Sequence, residues 1–280
     1  VCVKKVISHF HFYHIMNQNT LKTALRLVAV AVILFAAATE RSEAQGGRPR
    51  RFSLGLYGSY GMDMHSANFL DLPNNPVFTP RTGGTNEPGP FTGTTSWNPV
   101  VGIVMEYLLD ERLSVGLRAH YATQNARLTT RANYRVGRDD GTFADATSEY
   151  AISDSIQIIG LEPMASYNVW EGLSVHLGVR LNFATSARYN QSETLIAPAD
   201  GSFFGGTTPI RTRNVTVGDL PNANTFTIAP IVGLSYAIPI IDRLTVQPEV
   251  FFSYGLMPVV RDLQWTVNSL RPGLAVKYKF

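Results

Sequence analysis

The 280-residue sequence has a single cysteine, Cys2, and few charges, with Asp, Glu, Lys and Arg making up 16% of the chain against roughly 25% in an average soluble protein. One cysteine rules out a disulfide framework. With none at the cleavage point derived below, a lipid-anchored lipoprotein is excluded too. Long apolar runs are also missing. The segment Leu27 to Ala38 (LVAVAVILFAAA) has only twelve residues, about 18 Å as a helix against a hydrocarbon core of about 30 Å. Mean hydropathy is near zero, so no single greasy segment stands in for the missing charged surface.

The net charge of +3 comes from the N-terminal region. Setting aside Lys4, Lys5, Lys22, Arg26, Arg41, Glu40 and Glu43 leaves 19 basic and 19 acidic residues. A balanced chain without a basic stripe gives no electrostatic reason to bind nucleic acid. Lys22 and Arg26 precede the apolar run, and Ser42-Glu43-Ala44 supplies small residues at the minus-three and minus-one positions of a cleavage site. This layout predicts a secretory signal peptide ending at Ala44. Met16, followed by NQNTLKTALRL, is the expected start, which makes His9, His11, His14 and Cys2 an extension without functional meaning. The expected organisation is therefore a leader over 1–44, a short periplasmic stretch over 45–51 and one domain over 52–280.

From Arg51 onward the chain alternates with period two in eight segments of about ten residues. Phe52, Leu54 and Leu56 oppose Ser53, Gly55 and Tyr57, and Trp97, Val101, Ile103, Met105 and Tyr107 oppose Asn98, Gly102 and Glu106. Leu113, Val115, Leu117, Ala119 and Tyr121 oppose Ser114, Gly116, Arg118 and His120. The same pattern recurs around Ile159–Tyr167, Leu173–Phe183, Phe226–Tyr236, Leu244–Tyr254 and Leu270–Phe280. Short turns (LLDERL, NVWEGL, AIPIIDRL) join the strands in pairs. Between the pairs lie polar stretches read as loops: Met62 to Ser96, Asn125 to Glu149, Tyr189 to Asn224 and Pro258 to Thr266. An even strand count with short turns on one side and long loops on the other is the layout of a transmembrane barrel. Pro99, Pro163, Pro230, Pro248 and Pro272 fall within the strands, where bulges or strand ends are expected to absorb the missing N–H groups.

A soluble barrel or sandwich would alternate as well, so the polar face decides the orientation. It carries Gly, Ser, Ala and Asn rather than many Lys, Glu and Thr, which suits a narrow lumen and places the apolar face outside. Tyr107, Tyr167, Trp170, Tyr236 and Tyr278 lie near the short turns, and Tyr60, Trp97, Tyr121 and Tyr254 toward the loops. These are the two levels at which interfacial aromatics belong. The last strand, LRPGLAVKYKF, ends on Phe280 with Tyr278 two residues before it. It resembles the terminal strand of outer-membrane β-barrels, in particular the small eight-stranded OmpA-type and OmpX-type barrels. The resemblance implies an all-β, antiparallel up-and-down barrel in outer-membrane lipid. It also implies that Tyr278 and Phe280 form part of the signal read by the barrel-assembly machinery.

Six charges fall on the expected lumen face: Glu106, Arg118, Glu162, Arg180, Glu249 and Arg271. If WEG forms a three-residue hairpin loop, Glu162 lies opposite Arg180; the DER turn places Glu106 opposite Gly116, with Arg118 diagonal to it. Such charges form either a charge-lined pathway or a plug of paired side chains, and the narrowness of eight strands favours the plug. His120 and His176 lie on lumen faces without an identifiable acid partner, so no enzyme is expected. The run Gly137-Arg138-Asp139-Asp140-Gly141 misses the spacing of a calcium loop and reads as a solvated turn. No metal or cofactor is expected. The leading expectation is a porin-like barrel passing small solutes or supporting the envelope. The alternative is a non-conducting barrel whose loops bind a surface partner in adhesion or secretion.

Overall fold

The computed structural model describes residues 51–73, 88–137, 141–204 and 209–280. The expected signal peptide, its start at Met16 and the cleavage point after Ala44 lie outside the described residues, as do residues 138–140 of the Gly137–Gly141 turn. In chain order the strands are β1 (Phe52–Phe69), β2 (Phe91–Leu108), β3 (Leu113–Gly137), β4 (Phe143–Trp170), β5 (Leu173–Ala197), β6 (Phe203–Phe204), β7 (Pro209–Ile210), β8 (Thr212–Asp219), β9 (Phe226–Tyr236), β10 (Ile238–Ile241), β11 (Leu244–Ser253) and β12 (Gln264–Lys279).

Eight of these close a ring. β1 pairs with β2, and pairing continues through β3, β4 and β5; β5 pairs with β9, β9 with β11, β11 with β12, and β12 returns to β1, antiparallel throughout. Closure removes the free edge that an open sheet would expose to lipid. The short turns have local causes. Asp110 Oδ1 accepts the N–H groups of Arg112 and Leu113, both at 2.7 Å. Gly172 takes the left-handed conformation (φ 82°) that a residue with Cβ resists.

The WEG turn differs from its expected form. Trp170 pairs directly with Leu173, which leaves a two-residue Glu171-Gly172 turn, and an irregularity between Asn168 and Trp170 restores the register. The five prolines need no bulges. Pro99 pairs with Tyr60, Pro163 with Leu117, Pro230 with Val179, and Pro248 and Pro272 with Leu274 and Val250, in unshifted register, and all five are exposed.

The expected loops are the main correction. The stretch from Asn125 to Glu149 is not a loop. β3 and β4 stay paired out to Gly137 and Phe143. β5 runs on to Ala197, where β8 replaces β9 as its neighbour. β1 and β2 likewise stay paired to Phe69 and Phe91. The cause is a second alternation, opposite in polarity to the first. On the outer part of β3, Ala126, Leu128 and Ala132 are buried while Arg127, Arg131 and Arg135 are exposed. Polar composition marks these segments as non-lipid, but their period remains that of a strand.

Candidate functional site

The band that meets lipid is visible in the exposed side chains. Leu56, Val101, Val115, Ile159, Leu177, Val232, Leu234, Leu274 and Val276 are between 40% and 67% exposed, which only an apolar surrounding tolerates in such number. Tyr107 and Trp97, ten residues apart on β2, are exposed at the two ends of the band, and Trp97 stacks on Tyr60 at 5.7 Å. Ten residues at about 3.4 Å each, tilted by about 40°, rise about 26 Å, close to the usual height of the apolar band. The crossing is made by strands; among the described residues no helix is long and apolar enough to span a membrane.

Within this band the lumen holds all six expected charges and a seventh, Lys277. Arg180 Nε donates to Glu162 Oε1 at 3.0 Å, and Arg271 Nη2 donates to the same oxygen at 2.7 Å. Arg118, expected diagonal to Glu106, instead donates through Nη2 to Glu249. Glu106 does lie opposite Gly116, but its partner is Lys277 Nζ, at 2.5 Å. Arg118 does lie diagonal to Glu106, but ring closure sets β11 opposite β3 and β12 just beyond β1 from β2, and each group takes its partner from there. Lys277 shares the inward phase of Arg271, so the alternation that placed Arg271 also marks Lys277.

Aromatic rings and glycines complete the filling. The Arg118 guanidinium lies 3.8 Å from the centre of the Tyr57 ring and 4.5 Å from that of Phe251. A Cβ on Gly233 would come within 2.2 Å of the Phe251 ring, and one on Gly160 within 2.1 Å of the His120 ring. The small residues of the polar face thus leave volume that a ring from a neighbouring strand occupies. His176 is bonded on both sides, by Ser166 Oγ at 2.6 Å and Ser235 Oγ at 2.6 Å, and Gln247 also donates to Ser235. No carboxylate takes part in this relay.

Above the charges the interior changes character. Phe69, Phe91, Leu128, Ile152, Val260 and Trp265 are buried in one apolar cluster, joined by Leu72, Tyr150, Tyr189, Leu220 and Val259. It draws on β1 to β5 and β12 and on the segments that follow β8 and β11. Higher still, on the part of the sheet outside the membrane, Glu193 is fully buried. It accepts bonds from Tyr134 (3.0 Å), Tyr150 (2.9 Å), Asn214 (2.7 Å) and Arg213 Nε (2.7 Å). Burial pushes the carboxyl pKa up, but the Arg213 and tyrosine bonds outweigh it, and the pKa lies below the usual value. Asp154 has the opposite balance: burial dominates over its bond from the Ala126 N–H, and its pKa is raised to about 7. Glu193 falls in the Tyr189 to Asn224 segment read from sequence as polar loop, and Asp154 falls between the Asn125 to Glu149 loop and the strand around Ile159–Tyr167, so neither was a candidate. The inward phase shared with Ile152 and Leu195 is the signal that would have found them.

Neither a protein-family model nor a curated protein matches the chain. Among solved structures, Neisserial surface protein A is 11% identical, with 81% of this chain and 97% of that chain covered at a TM-score of 0.36. The attachment invasion locus protein of Yersinia pestis, in complex with the heparin analogue sucrose octasulfate, is 6% identical over 81% and 99% (TM-score 0.35). The outer membrane protease OmpT from Escherichia coli is 11% identical over 85% and 99% (TM-score 0.32). These likenesses are loose, so the assignment rests on the chain's own ring of pairings, lipid-facing band and aromatic levels. Those features make it a small eight-stranded antiparallel β-barrel of the outer membrane, in the architecture of the OmpA-type and OmpX-type barrels.

Proposed function

We propose that the barrel is a non-conducting platform and that its function lies in the folded sheet it raises outside the membrane, which binds a surface partner. The observation that carries this reading is the double filling of the interior. Paired charges and rings occupy the membrane level, and a dry apolar cluster lies above them. An ion crossing that level would meet mainly apolar side chains and only a few buried polar groups, such as Asp154 and Gln191, in place of its hydration shell, which costs several kcal/mol. The six lumen charges, with Lys277, therefore serve as a plug rather than a pathway. A catalytic role finds no support in the Ser166–His176–Ser235 relay, which is buried and lacks an acid to orient the imidazole.

The outer sheet has the features of a contact surface. Among the described residues, β8 pairs on one side only, with β5. Its outward Val215 and Val217 are 60% and 70% exposed, and Val215 to Gly218 carries no charge. The outer part of β3 bears exposed Arg127, Arg131 and Arg135 instead, charges of the kind that guard an edge against adventitious pairing. Phe280 and Tyr278, as the assembly signal, serve biogenesis rather than this surface role.

Planar-bilayer recordings of the folded protein test the reading. No discrete conducting steps are expected, and steps that change with Glu162→Gln or Arg180→Gln would overturn it in favour of a pore. The binding half is read by retention of cells displaying the barrel on immobilised serum and matrix proteins. Retention is expected to be lost in a Val215→Lys, Val217→Lys variant that still reaches the surface.

A further inference from the structure

A strand edge outside the membrane needs a neighbour or a guard, because it carries unpaired N–H and C=O groups. On β3, whose ladder with β2 ends at Ala122, the guard is the row of exposed arginines. β8 lacks one. Among the described residues it pairs only with β5, from Arg188–Asp219 to Gln191–Thr216 and, past a register shift, on to Thr194–Thr212. Antiparallel pairing engages every second residue, so about half of its backbone groups turn away from β5. Neither a proline nor a charge interrupts Val215 to Gly218, and Val215, Val217 and Asp219 are exposed.

The edge is also held ready. Arg213 donates to Glu193 through Nε at 2.7 Å and Nη2 at 2.9 Å, and Asn214 Nδ2 donates to the same carboxylate at 2.7 Å. At the other end the Leu220 N–H donates to the Ala187 carbonyl at 2.9 Å. A strand fixed at both ends loses little further freedom when another strand joins it. Asn214, at φ 54°, and the register shift beside it end the regular stretch, which leaves Val215 to Asp219 as the available length. A second copy in the same membrane does not fit there. Copies that share a membrane are related by a rotation about its normal, so two β8 strands tilted by about 40° would cross at about 80° instead of pairing. The occupant is therefore an extended segment of another polypeptide. Beside Val215 and Val217 it gains most from β-branched or aromatic side chains. Beside Asp219, whose carboxylate lies 4.0 Å from Arg188 Nε, it gains from a Lys or Arg.

We propose that β8 takes an extended segment of the surface partner as an added antiparallel strand along Val215 to Asp219. The proposal rests on the surface-binding reading above and specifies main-chain pairing as the mode of capture. Two isomers of one seven-residue peptide, a Lys followed by alternating Thr and Val, test it with the folded barrel in detergent. One is N-methylated at every Thr and the other at every Val, so each offers N–H groups along only one of its edges. Their side chains are identical. One isomer is expected to bind roughly tenfold more tightly than the other, as the loss of two or three hydrogen bonds implies, and to slow hydrogen exchange of amides within Val215 to Gly218. Asp219→Lys, at an exposed position, is expected to weaken that isomer. Equal affinity of the two isomers, or binding by neither, overturns strand addition. The surface-binding reading fails separately, when displaying cells are not retained on serum and matrix proteins at all. Retention that is lost in the Val215→Lys, Val217→Lys variant, together with equal binding of the isomers, keeps that reading and overturns only strand addition. Clumping of displaying cells that the same variant abolishes assigns the edge to a second copy on an apposed cell and overturns the proposed partner.

Discussion

The membrane-level and outer halves of the same strands are built on inverse plans. On β3, the outward residues pass from Val115, Leu117 and Ala119 to Arg127, Arg131 and Arg135, while the inward ones pass from Gly116, Arg118 and His120 to Ala126, Leu128 and Ala132. The backbone does not change phase at the boundary; the solvent does. Where lipid surrounds the sheet, apolar side chains face out and the ion pairs are enclosed. Where water surrounds it, the hydrophobic effect works in its usual direction and builds a core between the strands. The inside of this protein is therefore mainly ionic at one level and mainly apolar at the next, and the change occurs within about one strand length.

Four substitutions would break or sharpen this contrast. The largest effect is expected inside the outer core. Ile152, fully buried in the apolar cluster, should cost about 2–5 kcal/mol when changed to Ala, measured by denaturant unfolding of the refolded protein. A loss below about 1 kcal/mol would mean that the outer sheet does not depend on a packed interior. Next comes the outward face. Leu177→Arg places a charge in the lipid-facing band, where Leu177 is 67% exposed, and should cost about 2–4 kcal/mol in bilayers. Ser153→Arg, on the outward phase of the neighbouring strand β4 but above the band, should stay within about 0.5 kcal/mol. Equal costs for the two would deny that the solvent changes between these levels.

The smallest effect concerns pH. Asp154 has its pKa raised to about 7 from 3.8 because burial disfavours the charged form. The neutral carboxyl's contribution to stability is complete below about pH 3.8 and is lost as pH rises through about 7. Asp154→Asn, which keeps the shape and cannot ionise, should flatten the decline in stability between those values. An unchanged slope would assign the decline to another group.

Much of the barrel was legible in the sequence. Eight alternating segments, the turns that pair them and the aromatic levels follow from period and composition; Glu162 does lie opposite Arg180, but through a two-residue turn with a compensating irregularity rather than the three-residue loop it was read from. The outer strands were missed for a physical reason. Polar outward residues such as Arg127 and Thr129 outnumber the apolar ones, so the segment reads as loop until Ala126, Leu128 and Ala132 are seen on the same inward face as Arg118. The partners of Arg118 and Glu106 were not legible at all. Glu249 and Lys277 come from strands more than 100 residues away, and only ring closure sets which side chains meet across the lumen.

The sequence by itself thus determined strand number, hairpin order, the lipid-facing side and the inward position of the charges, because these depend on local period and on the polarity of each face. The tertiary structure alone decided which charges pair, where the ionic interior gives way to a dry one, and that Glu193 and Asp154 are buried. Those outcomes depend on distances across a closed ring, which local alternation does not encode.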